Sequence, residues 1–346
     1  MALRQSVAVA LSLALAAPAV ADERLRFDVI SGFLGPWQFR TLEQPFWLQE
    51  VPALTGGRAA AALRAGSSLG VTSEQMLTVM RNGVATFGTL ELRALTLIEP
   101  EWGVADLPLL ANDEVSLHRA IDLWRPRIAA QMQESYGIEL LAVFIRAPQV
   151  MFCNRPFASL LDLAGRKVRV ASVNQSDLIV ALGAIPVVLE LERVVNSIRA
   201  GALDCAVTGA MPASVTGLTR VTSHASTVPL GWSMAFFTAN GARWAALPEA
   251  VRAPLREGIQ RMEGAMWRAA EAQRAEGEAC LTGQTVGCTV EPSRIQHVGE
   301  SAAGRAALRA LFASAVLPGW VRRCGAACAE SWNAVAAPVL GVFARR

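Results

Sequence analysis

The sequence has few of the groups by which nucleotide-binding proteins and metal hydrolases are recognised. It contains only three histidines, His118, His224 and His297, and no GxGxxG, Walker or HExxH motif. Nucleotide binding and zinc hydrolysis therefore have no support. The net charge is also small, +3 from 32 basic and 29 acidic residues. Such a low and evenly mixed charge does not indicate nucleic-acid binding.

The chain is long enough for two lobes and begins with a segment typical of export. It has 346 residues, of which 53% are hydrophobic, so it can bury a large core. Residues 1–21 combine one arginine, an apolar run and a small-residue end, which predicts a signal peptide cleaved after Ala21. A membrane anchor is the alternative, but Pro18 interrupts the run, which is shorter than the roughly 20 residues a span needs. We expect a soluble periplasmic protein.

Six cysteines follow this segment, and an oxidising compartment favours disulfides between them. The pairs nearest in sequence, Cys280 with Cys288 and Cys324 with Cys328, are the first bridges we expect. Cys153 and Cys205 would form a third bridge or remain as buried thiols, because spacing alone does not determine connectivity. A zinc site is the alternative, but no CxxC pair with a nearby histidine completes a tetrahedral set.

Short strands and helices alternate in the second half of the chain. Strands are predicted at residues 167–171, 186–189 and 204–208, and helices at 177–182 and 192–200. This alternation predicts a parallel α/β sheet. A helical pattern then runs from Pro248 to about Leu281, which is long enough to lie across two lobes.

The stretch GSSLG at Gly66–Gly70 fits the G-x-S-x-G pattern of serine hydrolases, with Ser68 as the nucleophile. That motif requires a helix immediately after the serine. Here the predicted helix cap lies four or five residues further on, so Ser68 would lie in an ordinary loop. An exported serine hydrolase using Ser68 is the alternative function.

The segment DLAGRKVRV places a cation at the end of a buried strand. Lys167 and Arg169 alternate with Val168 and Val170, so the valines share one face of the strand and the cations the other. Arg169 is near the carboxyl end of this strand, where open α/β sheets bind ligands. Its guanidinium can hold a carboxylate with two parallel hydrogen bonds. A structural ion pair with an acid of the chain is an equally good interpretation of the pattern alone.

A resemblance to a known family favours a ligand carboxylate, rather than an acid of the chain, as the partner of Arg169. DLAGRKVRV, with LGAIPVVLELERVVNSIRAGALD after it, resembles the solute-binding proteins of TRAP transporters, the DctP-type family. LTGGRAAAALRAGSSLGVTSEQMLTVMRNG, VADLPLL and ANGARWAALPEAVRAPL are similar to further blocks of that family, in the same order. The resemblance spans about Leu25 to Trp332.

The resemblance implies an α/β, two-lobed periplasmic binding protein fold with a hinge and a long interlobe helix. We expect residues 22–147 and 233–275 in lobe I, and 148–232 and 276–346 in lobe II. The implied function is capture of an organic acid between the lobes and its delivery to a TRAP membrane permease, without catalysis, cofactor or metal. A sensing subunit that presents the ligand to a membrane receptor is the alternative partner.

The resemblance also assigns the site. The family arginine that pairs with the ligand carboxylate maps onto Arg169. A second polar position, some twenty residues earlier, maps onto Gln149, with Arg146 as its neighbouring alternative. Ser172 and Thr208 match further polar positions.

Two tryptophans are additional candidates for the site. Trp232, beside the second interlobe crossing, would shape the hinge or the pocket, and Trp37 would line the cleft from lobe I. Core packing for Trp232 and surface packing for Trp37 are equally good interpretations. Leu191 and Val195 stand where aromatic residues are common in the family, so we expect a more apolar acid.

Overall fold

The computed structural model of the chain describes residues 24–32 and 35–345, without the side chain of Pro36. The predicted signal peptide at residues 1–21 lies outside the described residues. The described part folds into a mixed sheet covered by helices. Its strands are β1 (Leu25–Ser31), β2 (Ala59–Ala65), β3 (Phe87–Glu91), β4 (Ile138–Cys153), β5 (Lys167–Val170), β6 (Ile185–Val188), β7 (Cys205–Gly209), β8 (His224–Ser226), β9 (Trp232–Asn240) and β10 (Gln296–Val298).

The helices fill the connections between strands and most of the carboxyl-terminal part. They are α1 (Pro36–Gln38), α2 (Val51–Leu54), α3 (Met76–Arg81), α4 (Leu92–Leu95), α5 (Glu114–Tyr136), α6 (Val173–Ala181), α7 (Leu191–Arg199), α8 (Ala210–Val215), α9 (Gly241–Ala245), α10 (Glu249–Leu281), α11 (Ala302–Leu311), α12 (Leu317–Cys324), α13 (Ala326–Val335) and α14 (Ala337–Leu340). Two π-helical turns, Phe39–Glu43 and Phe46–Glu50, lie between α1 and α2, and a 3₁₀ helix covers Pro100–Asp106.

The sheet has two halves joined by long strands. Its strand order is β2-β1-β3-β9-β4-β7-β5-β6. The first part of β4 pairs antiparallel with β9, and its last part pairs antiparallel with β7 and β8. We call the half built on β2, β1, β3 and β9 lobe I, and the half built on β7, β5 and β6 lobe II. In lobe I, β1 runs parallel to β2 and β3. In lobe II, β5 runs parallel to β6 and β7, as the alternation of strands and helices predicts.

Each half has a separate apolar cluster on one face of its strands. In lobe I, Phe87, Phe144 and Phe237 stack beside Trp47. In lobe II, Phe152 packs with Val194, Ile198 and other aliphatic side chains. A larger cluster on the other face includes residues of both halves and of helices α11 to α14. The two halves are therefore separately packed on one side and share a core on the other.

Helix α10 passes both halves of the sheet at close range. A β-carbon added at Gly258 would lie 2.8 Å from Leu54, on the lobe I side. One added at Gly277 would lie 2.6 Å from the β-carbon of Ala210, at the start of α8 in lobe II. Glycine at these two positions lets the helix approach each half directly, and its extent agrees with the predicted 248–281.

Both expected cysteine pairs, Cys280–Cys288 and Cys324–Cys328, are disulfides. Cys153 and Cys205, which the sequence left open between a bridge and two buried thiols, form a third disulfide. Its two cysteines are directly opposite each other in the antiparallel pairing of β4 and β7. The bridge therefore fastens the last residue of β4 to the first residue of β7.

Candidate functional site

Arg169, on β5, is held in place by two backbone carbonyls. Its Nε donates to the carbonyl oxygen of Leu189 at 2.7 Å, and its Nη1 donates to that of Val207 at 2.8 Å. Leu189 directly follows β6 and Val207 belongs to β7, so both neighbouring strands orient the guanidinium. No acid among the described residues forms an ion pair with Arg169. The N–H groups of Nη2 donate to no atom of the residues that the structure describes.

The environment of Arg169 is short of water. The residue is 7% exposed. Burial lowers the pKa of its guanidinium from 12.5 to about 10, an effect that Glu190 opposes and Arg93 reinforces. Arg169 thus remains a cation at neutral pH, but a poorly solvated one. A carboxylate that replaced its remaining water would gain a charge-assisted hydrogen bond in a medium of low effective dielectric.

A chain of charged groups connects the two lobes beside Arg169. Arg93, in α4 after β3, donates from Nε to Glu91 at 2.9 Å, and its Nη1 lies 3.5 Å from Oε1 of Glu190. Glu91 also accepts from the hydroxyl of Ser73 at 2.6 Å. Glu190 directly precedes α7 in lobe II, so Arg93 is the ion-pair link between the lobes at this point.

A cavity of about 300 Å³ opens at this link. Its wall includes the carboxyl ends of β1 and β2, the segment around Ser73, and the side chains of Arg93 and Glu190. We call this cavity the cleft. The sequence patterns identified neither Arg93 nor Glu190. The usable signal for Arg93 is its position two residues beyond the end of β3.

Gln149 connects the crossing strands through both ends of its side chain. Its Nε2 donates to the hydroxyl of Ser233 on β9 at 2.7 Å, and its Oε1 accepts from Nε2 of Gln175 at 2.6 Å. Gln175 in turn accepts the backbone N–H of Ala171, just after β5, at 2.8 Å. Gln149 therefore joins β9 to the end of the strand that carries Arg169.

Ser172 and Thr208 both lie at carboxyl ends of lobe II strands, as expected. Ser172 is the N-cap of α6, where its hydroxyl accepts from the N–H of Gln175 at 3.4 Å. Thr208 is 4% exposed, and its hydroxyl has no hydrogen-bond partner within residues 24–32 and 35–345. The hydroxyl of Thr208 thus has its donor and acceptor positions uncommitted, whereas that of Ser172 accepts one bond and keeps its own proton to donate.

The two tryptophan candidates lie in different surroundings. Trp232 is buried: its backbone N–H donates to Asp106 at 2.7 Å, and its indole N–H donates to the carbonyl of Ala111 at 3.2 Å. It lines a second cavity, of about 560 Å³, that also borders α10. Trp37 is 45% exposed, and its carbonyl accepts from Thr41. Neither borders the cleft beside Arg93, and their ligand contacts remain predictions.

Ser68 lacks the surroundings of a nucleophile. It lies on the exposed 3₁₀ turn Gly66–Leu69, and its hydroxyl donates to the carbonyl oxygen of Ala65 at 2.7 Å. The residue after this turn is Gly70 in a left-handed conformation, and the next α-helix begins only at Met76. The strand, turn and immediate helix that the hydrolase motif needs are therefore not formed here.

An acid is buried behind the lobe I wall of the cleft. Glu43 is 1% exposed, and its Oε2 has no hydrogen-bond partner in the described part of the chain. Burial raises the pKa of its carboxyl from 4.5 to about 7, and bonds from Ser31 and the N–H of Gly32 oppose the rise only partly. Ser31 also shares a hydrogen bond with Thr89 at 2.5 Å. The carboxyl of Glu43 is therefore substantially protonated at neutral pH.

This burial predicts a pH-dependent stability. Because the folded-state pKa is raised, the contribution of Glu43 is fully present below pH 4.5 and is lost as the pH rises through about 7. Between pH 5 and pH 8 the wild type should lose about 2.5 kcal/mol of unfolding free energy more than Glu43→Gln, which carries no titrating proton. Urea unfolding at both pH values measures the difference. Parallel pH profiles for the two proteins would contradict it.

The described residues contain no group of three or more histidine, cysteine or acidic side chains that could hold a metal ion. No helix among them is long and apolar enough to cross a membrane. The polar side chains that line the cleft carry one guanidinium, two carboxylates and several hydroxyls.

Two α/β lobes joined by shared strands and a long helix, with an arginine at the strand ends of one lobe, define a two-lobed solute-binding protein. The chain belongs to the family described as bacterial extracellular solute-binding protein, family 7 (DctP), which matches residues 38–306. It is 25% identical over 268 residues to the C4-dicarboxylate-binding periplasmic protein DctP of Rhodobacter capsulatus, covering 73% of this chain and 75% of that protein.

Solved structures have the same fold. The extracytoplasmic solute receptor DctP7 of Bordetella pertussis, which binds pyroglutamic acid, superposes with a TM-score of 0.72 at 20% identity, covering 90% of this chain and 99% of that one. A TRAP periplasmic solute-binding protein of Pseudomonas aeruginosa with bound L-malate gives 0.69 at 16% identity, covering 83% and 97%. The expected two-lobed α/β fold is confirmed.

Proposed function

We propose that this chain captures an organic acid in the cleft between its lobes and delivers it to a TRAP membrane permease. The observation that carries this proposal is Arg169, a buried guanidinium that two backbone carbonyls hold and that forms no ion pair with an acid in the described part of the chain. A desolvated cation without a counter-ion is costly, and a carboxylate removes that cost. The acids bound by the similar proteins, pyroglutamate and L-malate, support the same chemistry.

Capture would proceed through Arg169 and the polar groups near it. The ligand carboxylate accepts from the free N–H groups of Arg169, and the unpartnered hydroxyl of Thr208 supplies a further bond. When the lobes close, Arg93 of lobe I meets Glu190 of lobe II at 3.5 Å. Closure excludes water and strengthens these interactions. The ligand thereby shifts the equilibrium between open and closed lobes, which is the change a permease would recognise.

The setting of this function is part of the same proposal. Residues 1–21 would direct export and be removed, so the mature protein acts in the periplasm without catalysis. Lobe I would comprise residues 22–147 and 233–275, and lobe II residues 148–232 and 276–346. These boundaries put α10, which packs against both halves, across the division between the lobes.

A thermal-shift screen of the mature protein tests the function. We expect carboxylic acids, among them L-malate and pyroglutamate, to raise the melting temperature, because a ligand that binds only the native state stabilises it. At a concentration 100-fold above the dissociation constant the gain is about 2.7 kcal/mol. The matched controls are the uncharged amides of the same acids. Equal shifts from acids and amides, or no shift from any acid, would refute carboxylate capture.

A further inference from the structure

Gly231 marks the point where the chain passes from lobe II into β9. Its carbonyl oxygen accepts the backbone N–H of Gln149, on the crossing strand β4, at 2.9 Å. Its φ of +151° is one that residues with a side chain rarely adopt. A β-carbon added there would lie 3.1 Å from Nε2 of Gln175, in lobe II, and 3.2 Å from Oδ1 of Asp106. We call Asp106, Gly231 and Gln175 the pivot.

Asp106 is a buried acid with a single hydrogen bond. It is the last residue of the 3₁₀ helix Pro100–Asp106 and is 6% exposed. Its Oδ1 accepts the backbone N–H of Trp232, the first residue of β9, at 2.7 Å. Its Oδ2 has no hydrogen-bond partner among the described residues. One bond does not offset the cost of burying an ionised carboxylate, which normally requires a cation or several donors.

Asp106 forms no ion pair in the part of the chain that the structure describes. Its 3₁₀ helix packs against α4, α5, α12 and β9. β9 has no charged residue, and the only one on α4 is Arg93. On α5 and α12, the arginines that contact this helix or α6 are Arg127 and Arg323. The three arginines are each in an ion pair with another acid, namely Glu91, Glu101 and Asp177 in that order.

The protonation state of Asp106 therefore depends on how the pivot is packed. Burial raises the pKa of its carboxyl from 3.8 to about 7, and the bond from Trp232 opposes the rise only partly. In this arrangement the carboxyl is mostly neutral at pH 6 and mostly charged at pH 8. The charged form would gain from water. Gly231 and Gln175 adjoin it from lobe II, so a movement of lobe II away from Asp106 would admit that water.

We propose that Asp106 is the positioning residue of the hinge, where its neutral carboxyl favours the closed lobes and its ionisation favours their opening. The inference goes beyond solute capture, because it depends on the pivot and not on which solute is bound. Closure is then favoured below pH 7 and loses this contribution as the pH rises through that value. With the carboxyl ionised throughout in the open form, the equilibrium constant for closure falls about tenfold between pH 6 and pH 8.

Distances between spin labels across the cleft test this coupling in the ligand-free protein. All six cysteines are in disulfides, so new cysteines can be labelled selectively. Ser68→Cys in lobe I and Asn196→Cys in lobe II use exposed positions. Every protein also carries Glu43→Gln, because burial raises the pKa of Glu43 to about 7 as well. In this parent protein the ratio of closed to open distances should rise about tenfold from pH 8 to pH 6.

Asp106→Asn is the matched variant. An asparagine keeps an oxygen for the N–H of Trp232 but has no proton to lose, so it imitates the neutral carboxyl. Its ratio of closed to open distances should be the same at pH 6 and pH 8, and close to the value of the parent at pH 6. The unfolding midpoint shows whether the variant is folded.

Fluorine NMR tests the titration without any change at position 106. In the parent labelled with 5-fluorotryptophan, the signal of Trp232, assigned by its loss in Trp232→Phe, should move with a midpoint of about pH 7. A Trp232 signal that does not titrate overturns the proposal. So does a distance ratio that is constant in the parent, or one that responds to pH equally in the parent and in Asp106→Asn. Carboxylate capture is judged separately, by the binding of Arg169→Ala.

Discussion

Replacing Arg169 with alanine is expected to weaken binding of the captured acid by about 30- to 5,000-fold. Truncating one partner of a buried, hydrogen-bonded charge pair costs about 2–5 kcal/mol, since the other charge is left without compensation. Arg169 meets the conditions for a cost of this size, because it is 7% exposed and carbonyls of Leu189 and Val207 fix its direction. Calorimetric titration with the strongest acid of the thermal-shift screen measures the loss.

Lys167 provides the matched control for this experiment. It lies on β5 two residues before Arg169 and faces the same way along the strand, but it is exposed. Lys167→Ala removes a positive charge from the same strand without touching the cleft, so binding should stay within about twofold, because exposed charges contribute little. Arg169→Lys keeps the charge but lacks the guanidinium fork, and should bind with intermediate affinity.

The stability of the Arg169 variants should change less than their affinity. Alanine removes two hydrogen bonds to carbonyls, but it also relieves the cost of burying a cation. Unfolding of the ligand-free proteins measures this effect separately. If Arg169→Ala is folded and binds the acid as tightly as Lys167→Ala does, Arg169 does not hold the ligand carboxylate.

Removal of the Cys153–Cys205 bridge should have the largest effect on stability. The bridge joins residues 52 apart in sequence. Loop-closure entropy assigns such a cross-link about 4 kcal/mol. Both cysteines are fully buried, so alanine is the appropriate replacement at both positions. We expect Cys153→Ala/Cys205→Ala to lower the free energy of unfolding by about that amount, as measured by denaturant titration without reductant.

The other two bridges serve as controls, because they close short loops. Cys324–Cys328 has a separation of 4 residues and Cys280–Cys288 a separation of 8. The same entropy relation assigns them about 2 and about 2.5 kcal/mol. A double-alanine variant at Cys324 and Cys328 should therefore lose about half as much. Equal losses, or a larger loss at the short loop, would contradict the loop-entropy explanation.

The Cys153–Cys205 bridge should also affect binding. It sets β4 against β7 in the register that puts Gln149 opposite Gly209 and Thr208 opposite Val150. Val207, whose carbonyl orients Arg169, lies two residues beyond Cys205. Since ligand binds only the native state, a saturating acid should restore part of the lost stability. The same acid would restore nothing if the variant had lost the site.

Most of the fold could be predicted, because strand and helix periods are local properties of the chain. The strand expected at 167–171 is Lys167–Val170, that at 204–208 is Cys205–Gly209, and the helix expected at 248–281 is Glu249–Leu281.

The site could be predicted only in part. Arg169 was identifiable because a cation in a valine strand is unusual and because the family pattern surrounds it. Arg93 and Glu190 were not, because their significance depends on a 3.5 Å approach between residues almost a hundred positions apart. The use of Gln149 to join β9 to the end of β5 was equally hidden, since it depends on contacts with Ser233 and Gln175 on other elements.

The amino-acid order alone therefore determined the elements of this protein, their alternation, and the presence of a cation at the end of a buried strand. Each of these follows from periodicity and residue chemistry within short windows. The tertiary structure decided which cations lack a partner, which amide is occupied, and which charges meet across the lobes. Those properties depend on distances between remote segments, and only the packing of the two halves around β4 and α10 sets such distances.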